Sequence, residues 1–396
     1  MATQPLNAIL RPAMSDFFQH GLISTLHQLN EHPAELELPS GRARLALILP
    51  CHYRDLASDG LTSILQALNC SSLFDLVVVT MNGMPDAEKN AVVHFWSQLR
   101  TPHRVLWNDS PLVLEWLSGK GLDLTPGKGL NLWMAIGFIT RHSEIGAFAI
   151  HDCDIKNYSI QLPSSLTLPV VALGYRFCKG FYPRVQGQLY GRVTRLFMIP
   201  FVRSLVRVIG HLPLLDFVDS FRYPLAGECA LTADVAVQLP IESGWGLEVG
   251  LLCEVHRLLE PREVCQVDLA IRYDHKHQSF DPGRPREGLL GMVGDLALSI
   301  LSHLEREGCH LDADILESVY EGYRQAATDF VRRYHDVAFF NRIPFAQAHE
   351  TRITERFCER LKEIAAEFAD GARAIPLPPW NQVAEFAEIA DFPLLA

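Results

Sequence analysis

Short runs of unbroken apolar residues, set between stretches with helical spacing, constrain this chain most. Leu45-Ala46-Leu47-Ile48-Leu49, Leu76-Val77-Val78-Val79-Thr80 and Gly146-Ala147-Phe148-Ala149-Ile150 show no polar alternation. A strand with one wet face alternates, whereas a strand apolar on both sides must be covered on both sides. Between these runs, residues 61–68, about 86–99 and 132–142 read as helices, and Val105-Leu106-Trp107 as a short further strand. Such strand–helix alternation predicts an α/β fold around a mainly parallel, doubly wound sheet. Residues 168–175 and 264–271 read as later strands, and 221–230 as a loop entering a short helix. Around 17–29 the spacing looks helical, within an N-terminal arm of residues 1–43. From 287 onward the pattern changes to three amphipathic helices, 288–305, 312–333 and 351–368, followed by a tail that begins at Pro376-Leu377-Pro378-Pro379-Trp380. This divides the chain into the arm, a domain over 44–285 and a helical extension over 286–396, which closes the domain or forms a dimer interface.

Composition removes several classes of function. The 396 residues carry a formal net charge of −11, so a phosphate backbone has no basic face to select. Residues 193–215 are the most apolar long stretch, but Arg195, Arg203, Arg207 and Pro200 interrupt it, which argues against a membrane span. No early segment joins a basic start to an apolar core and a cleavage site, so no signal peptide is expected. The nine cysteines are scattered without a C-x-x-C pair, which points to reduced thiols in a cytoplasm.

The chemistry concentrates at Asp152-Cys153-Asp154, directly after the run 146–150. Residues two apart in extended chain point to the same side. Asp152 and Asp154 therefore present two carboxylates at the carboxyl end of a strand, the edge where open α/β sheets bind ligands. Two hard oxygen donors suit Mg²⁺ or Mn²⁺; an acidic turn is the plainer reading. Upstream, Pro126-Gly127-Lys128-Gly129 opens a helix and puts a cation at an N-terminus that attracts phosphate, although it lacks the P-loop pattern. Arg176, Lys179, Arg184, Arg192 and Arg195 crowd twenty residues of an acidic chain. They form either a solvated face or an anion site, in which Arg192 would supply a fork of donors and Thr194 a hydroxyl. Trp245, between glycines, offers a flat face to a sugar. Glu248 opens a helix, a place the helix dipole favours for an acid. His275 and His277 share a face and could reach a metal.

Six ordered motifs together resemble the glucosyl-3-phosphoglycerate synthases, retaining sugar-nucleotide-dependent glycosyltransferases of the GT-A fold. They are Pro126-Gly127-Lys128-Gly129, Asp152-Cys153-Asp154, Gly191-Arg192-Val193-Thr194, Pro224-Leu225-Ala226-Gly227-Glu228, Gly244-Trp245-Gly246-Leu247-Glu248-Val249-Gly250 and Asp274-His275-Lys276. The resemblance implies a nucleotide-sugar part at about 44–165 and an acceptor part at about 166–285. It implies that Pro50 and the Met81-Asn82-Gly83 turn hold uridine and that Lys128 contacts the diphosphate. Asp154, helped by Asp152, would bind Mg²⁺ or Mn²⁺ with His275 as a further ligand. Glu248 would bind the donor sugar, with Cys153 and the loop from Leu225 to Gly227 lining that pocket. Gly191, Arg192, Val193 and Thr194, with His277, would hold the acceptor. The implied reaction moves α-glucose from UDP-glucose to the 2-hydroxyl of 3-phospho-D-glycerate, giving a precursor of the compatible solute glucosylglycerate, in a cytoplasmic homodimer. Alternatives are another donor or acceptor (a GDP- or ADP-sugar, mannose, unphosphorylated glycerate), a sugar nucleotidyltransferase, or a non-catalytic sugar-nucleotide binder.

Overall fold

The structure, a computed structural model, describes residues 19, 21–28, 39–122, 126–141, 144–185, 187–269, 287–383 and 394–395. In chain order the first half contains β1 (Ser24–Leu26), β2 (Arg44–His52), α1 (Asp59–Asn69), β3 (Leu76–Asn82), α2 (Lys89–Trp96), β4 (His103–Trp107), α3 (Pro111–Gly119), α4 (Lys128–Thr140) and β5 (Ile145–Ile150). Then come α5 (Gln161–Ala172), β6 (Phe177–Phe181), α6 (Ile199–Ile209), α7 (Pro213–Asp219), β7 (Cys229–Thr232), α8 (Ala233–Ala236), α9 (Leu247–Leu258) and β8 (Val264–Asp268). Three long helices follow: α10 (Gly288–Arg306), α11 (Ala313–Phe340) and α12 (Gln347–Ala369).

The strands form one sheet in the order β1-β8-β6-β7-β5-β2-β3-β4. It is mostly parallel; β7 alone among these strands runs antiparallel, against both β5 and β6. The unbroken apolar runs are explained by burial on both faces. Ala46 and Ile48 of β2 enter one core with α4, while Leu45, Leu47 and Leu49 enter a second core on the opposite face. α11 packs against α6 and α12, and α10 against α9 and α12, so the last three helices enlarge the first core. α10 is long and apolar enough to cross a membrane, but its apolar window is 72% buried inside the molecule, as in a core helix. All nine cysteines are free.

Three local expectations are corrected. Residues 168–175 lie mainly in α5, not in a strand. Leu162, Leu166 and Val170 form an i, i+4, i+8 stripe into the second core. Pro163 sits in the first helical turn, where its missing N–H costs nothing; Pro169 lies inside the helix and leaves one main-chain bond unmade, as it would in a central strand, so the apolar stripe decides. The loop at 221–230 enters β7 before reaching the short helix. Within the stretch expected to be helical at 17–29, residues 24–26 are a strand. β1 completes the edge of β8, and Gln266 donates from Nε2 to the Thr25 hydroxyl at 3.0 Å. An unpaired sheet edge is a stronger template than weak local helical spacing.

Candidate active site

The alternation that ends β5 continues past the strand. His151 and Cys153 are buried, whereas Asp152 and Asp154 are partly exposed on the other side. Burial pushes the His151 imidazole down to about 3, against the opposing pull of Asp152, so it is a neutral core group. The Cys153 thiol packs on Cys51. Its hydrogen bond there, reinforced by burial, holds it well above the usual thiol range, and its side chain faces away from solvent. The backbone of Asp154 is closely approached by Gly60 at the start of α1, where a Cβ would stand 2.9 Å from the Asp154 carbonyl carbon.

Lys128 is the first residue of α4 and meets these acids from the neighbouring crossover. Its Nζ lies 2.6 Å from Asp152 Oδ1 and 2.9 Å from Glu248 Oε1, the latter on the first turn of α9. Burial alone would lower the Lys128 ammonium, but the carboxylates of Asp152 and Glu248 outweigh it and hold it well above its ordinary value. Two glycines permit this convergence. At Gly129 a Cβ would fall 2.1 Å from the Glu242 carbonyl oxygen, so α4 lies directly on the loop that leads to Glu248. At Gly227 a Cβ would stand 2.5 Å from Lys128 Nζ and 2.7 Å from Asp152 Oδ2. Beneath them, Lys179 on β6 is 1% exposed; burial lowers its ammonium, with Glu248 and Glu228 pulling the other way.

Lys128, Asp152, Asp154, Gly227 and Glu248 form one wall of a cleft of about 240 Å³. Gly191, Arg192, Val193 and Thr194 line the same cleft, where Gly191 takes a left-handed φ of +69° before a π-helical turn over Val193–Met198. Tyr182 closes its base by donating to Glu228 Oε2 at 2.8 Å, and Arg184 Nη1 donates to the Tyr223 hydroxyl at 3.2 Å. Arg192 donates from Nε to Glu350 Oε1 at 2.7 Å, and Arg195 from Nη2 to Glu350 Oε2 at 3.1 Å. The basic cluster therefore splits. Arg176 pairs with Asp234 and Glu263 at the far end of β6, Lys179 is buried, and Arg184 and Arg192 line the cleft.

The cleft thus gathers Lys128, Asp152, Asp154, Gly191, Arg192, Val193, Thr194, Leu225, Gly227 and Glu248. Pro50, Asn82 and Gly83 lie outside its lining, at the carboxyl ends of β2 and β3 on the same sheet edge. Of these, Asn82 connects to α4: Asn131 Nδ2 donates to Asn82 Oδ1 at 3.4 Å, while Asn108 Nδ2 donates to Asn131 Oδ1 at 2.9 Å. His275 and His277 fall outside the described residues. Sequence reasoning missed the contribution of the helical extension: Leu289 and Met292 of α10 line the cleft, and α12 delivers Glu350. No local pattern marks them, because they act only through long-range packing.

No protein-family model matches the chain. Glucosyl-3-phosphoglycerate synthase of Persephonella marina is 35% identical over 391 residues, covering 96% of this chain and 97% of that one. The chain belongs to the glucosyl-3-phosphoglycerate synthase family. It is accordingly a glycosyltransferase. Among solved structures, glucosyl-3-phosphoglycerate synthase from Mycobacterium tuberculosis, crystallised with Mn²⁺ and UDP-glucose, superposes with a TM-score of 0.52 at 21% identity, over 74% of this chain and 89% of that one. Mannosyl-3-phosphoglycerate synthase from Rubrobacter xylanophilus gives 0.53 at 22% identity, over 68% and 77%. These likenesses establish the shared GT-A architecture.

Proposed function

We propose that this family member transfers glucose from UDP-glucose to the 2-hydroxyl of 3-phospho-D-glycerate, with retention at the anomeric carbon. The observation that carries this reading is the convergence of Lys128, Asp152 and Glu248 in the cleft that Arg192 and Thr194 also line. A sugar diphosphate loses its bond with charge growing on the leaving phosphate. Lys128, at a helix N-terminus and locked in its charged form, is placed to stabilise that charge as it develops. Glu248 holds Lys128 with one oxygen, leaving the other for a sugar hydroxyl. Arg192 and Thr194 offer a guanidinium and a hydroxyl to the anionic acceptor.

A divalent cation fits the donor chemistry at the end of β5, since Asp152 and Asp154 present hard carboxylate oxygens on one side of the chain. Asp152 and Asp154 supply two donors; His275, outside the described residues, would be a further ligand, with diphosphate oxygens and water filling the remaining positions. When bound, Mg²⁺ or Mn²⁺ supplies positive charge to the leaving diphosphate. Retention is accounted for by transfer on one face of the sugar, with the leaving phosphate accepting the proton of the acceptor hydroxyl.

The test is a matrix of UDP-, GDP- and ADP-activated glucose and mannose against 3-phosphoglycerate and glycerate, with Mg²⁺, scored by nucleotide release and product mass. UDP release with a glucosyl-3-phosphoglycerate mass is the expected result. Turnover confined to a mannosyl donor or to glycerate overturns the substrate assignment. Asp154→Ala is expected to lower turnover at least about a hundredfold, and retained metal-dependent turnover in that variant would remove Asp154 from the cation site.

A further inference from the structure

Arg192 and Arg195 share a single carboxylate that comes from a distant part of the chain. Glu350 lies in the first turn of α12 and is 4% exposed. Arg195 is held at several points. It donates from Nε to Tyr190 O at 2.8 Å and from Nη2 to Leu189 O and Glu350, and its guanidinium lies 4.7 Å over the Tyr334 ring of α11. Among the described residues Arg192 makes a single side-chain hydrogen bond, through Nε, and its side chain retains 24% exposure on the cleft. A guanidinium held at Nε keeps its two terminal amino groups as a planar fork, the edge that binds phosphate or carboxylate with two parallel hydrogen bonds. Two guanidinium groups on one carboxylate also leave a net positive charge beside the Thr194 hydroxyl.

We infer that Glu350 is a positioning residue for the acceptor: it fixes the rotamer of Arg192 so that the terminal fork of the guanidinium is presented to an anionic group of the substrate. This rests on the substrate reading proposed above. An arginine side chain loses much rotamer freedom when it is fixed, and a buried partner removes that cost before the ligand arrives. Without Glu350, Arg192 and Arg195 would also repel each other across a buried gap. Through Glu350, α12 thereby contributes to acceptor binding from outside the cleft lining.

The experiment compares wild type, Glu350→Gln and Glu350→Ala by steady-state kinetics, by calorimetric titration with inorganic phosphate and 3-phosphoglycerate, and by thermal unfolding. Glu350→Ala is expected to raise the acceptor KM about tenfold or more, with the UDP-glucose KM within about twofold of wild type. Glu350→Gln keeps an oxygen for Arg192 Nε and is expected to recover part of the loss, raising the acceptor KM by about threefold. If Glu350→Ala does not fold, the Gln variant decides alone: an unchanged acceptor KM overturns the inference. Equal rises in donor and acceptor KM also overturn it, because a merely structural role moves both. If wild type binds phosphoglycerate but transfers no glucose to it, the proposed reaction fails, and the inference is judged on the binding ratio of the variants. If wild type binds neither anion, the inference falls.

Discussion

Lys128 illustrates how much of this site is decided by a few atoms. Its charge is secured by two carboxylates from separate crossovers, and the clearance for that pair is the hydrogen on Gly227. A methyl group there would meet the ends of two side chains that can swing aside, so the fold should tolerate it while the geometry does not. Gly227→Ala is expected to lower kcat/KM by about 10- to 100-fold with a melting temperature near wild type. An equal loss of thermal stability and activity would instead mark Gly227 as a folding requirement. At this scale the sequence was informative: Asp152, Asp154, Lys128 and Glu248 stand in motifs whose residue types suit their surroundings. What it did not reveal is that Lys128 is shared between Asp152 and Glu248, since the two acids are 96 positions apart in the chain.

Among the elements, α4 organises the molecule. It is buried at every residue from 129 to 139, which is why it reads as apolar all round instead of amphipathic. Its first residue faces the cleft, Asn131 ties it to the ends of β3 and β4, and Gly129 seats it on the loop before α9. The strands it covers are registered at their other end by Asp75, which accepts from the Leu45 N–H at 2.8 Å and from Arg42 Nη1 at 2.8 Å. Burial alone would raise the Asp75 carboxyl, but the Leu45 amide and the Arg42 guanidinium outweigh it and hold it below its ordinary value. A lowered carboxyl favours the folded state above the unfolded pKa, and that contribution is lost as pH falls through the folded value. Asp75→Ala is therefore expected to cost about 1 kcal/mol at pH 7. The gap to wild type should narrow in denaturant titrations below about pH 4, and a gap independent of pH would refute the carboxylate's role.

Across the whole molecule, the C-terminal segments are structural parts of the catalytic domain. Beyond α12, Trp380 stacks on Trp133 of α4 with ring centroids 4.0 Å apart. The two indoles exchange bonds with backbone: Trp380 Nε1 donates to the Trp133 carbonyl at 2.6 Å and Trp133 Nε1 to the Pro378 carbonyl at 2.7 Å. Gly137 makes room, since a Cβ there would stand 2.4 Å from the Trp380 ring. Trp380→Ala should destabilise the fold by about 3–5 kcal/mol, seen as a lower midpoint in chemical denaturation. A loss below about 1 kcal/mol would mean the tail is only loosely attached.

The sequence by itself determined the layered α/β architecture and the placing of Asp152 and Asp154 after β5, because apolar runs and i, i+2 spacing are local properties that survive without a partner. It also marked the cation at the start of α4 and the Gly191–Thr194 turn. It misread 168–175, where an apolar stretch fits a buried helix or a buried strand equally well until its neighbours are weighed. It misread 24–26 as well, where an open edge on β8 outweighed local spacing. Only the tertiary structure decided the shared ammonium of Lys128, the antiparallel β7, the stacked Trp133 and Trp380, and the pairing of Glu350 with Arg192 and Arg195. Each depends on groups far apart in the chain that burial brings together, and such proximity leaves no trace in any single stretch of sequence.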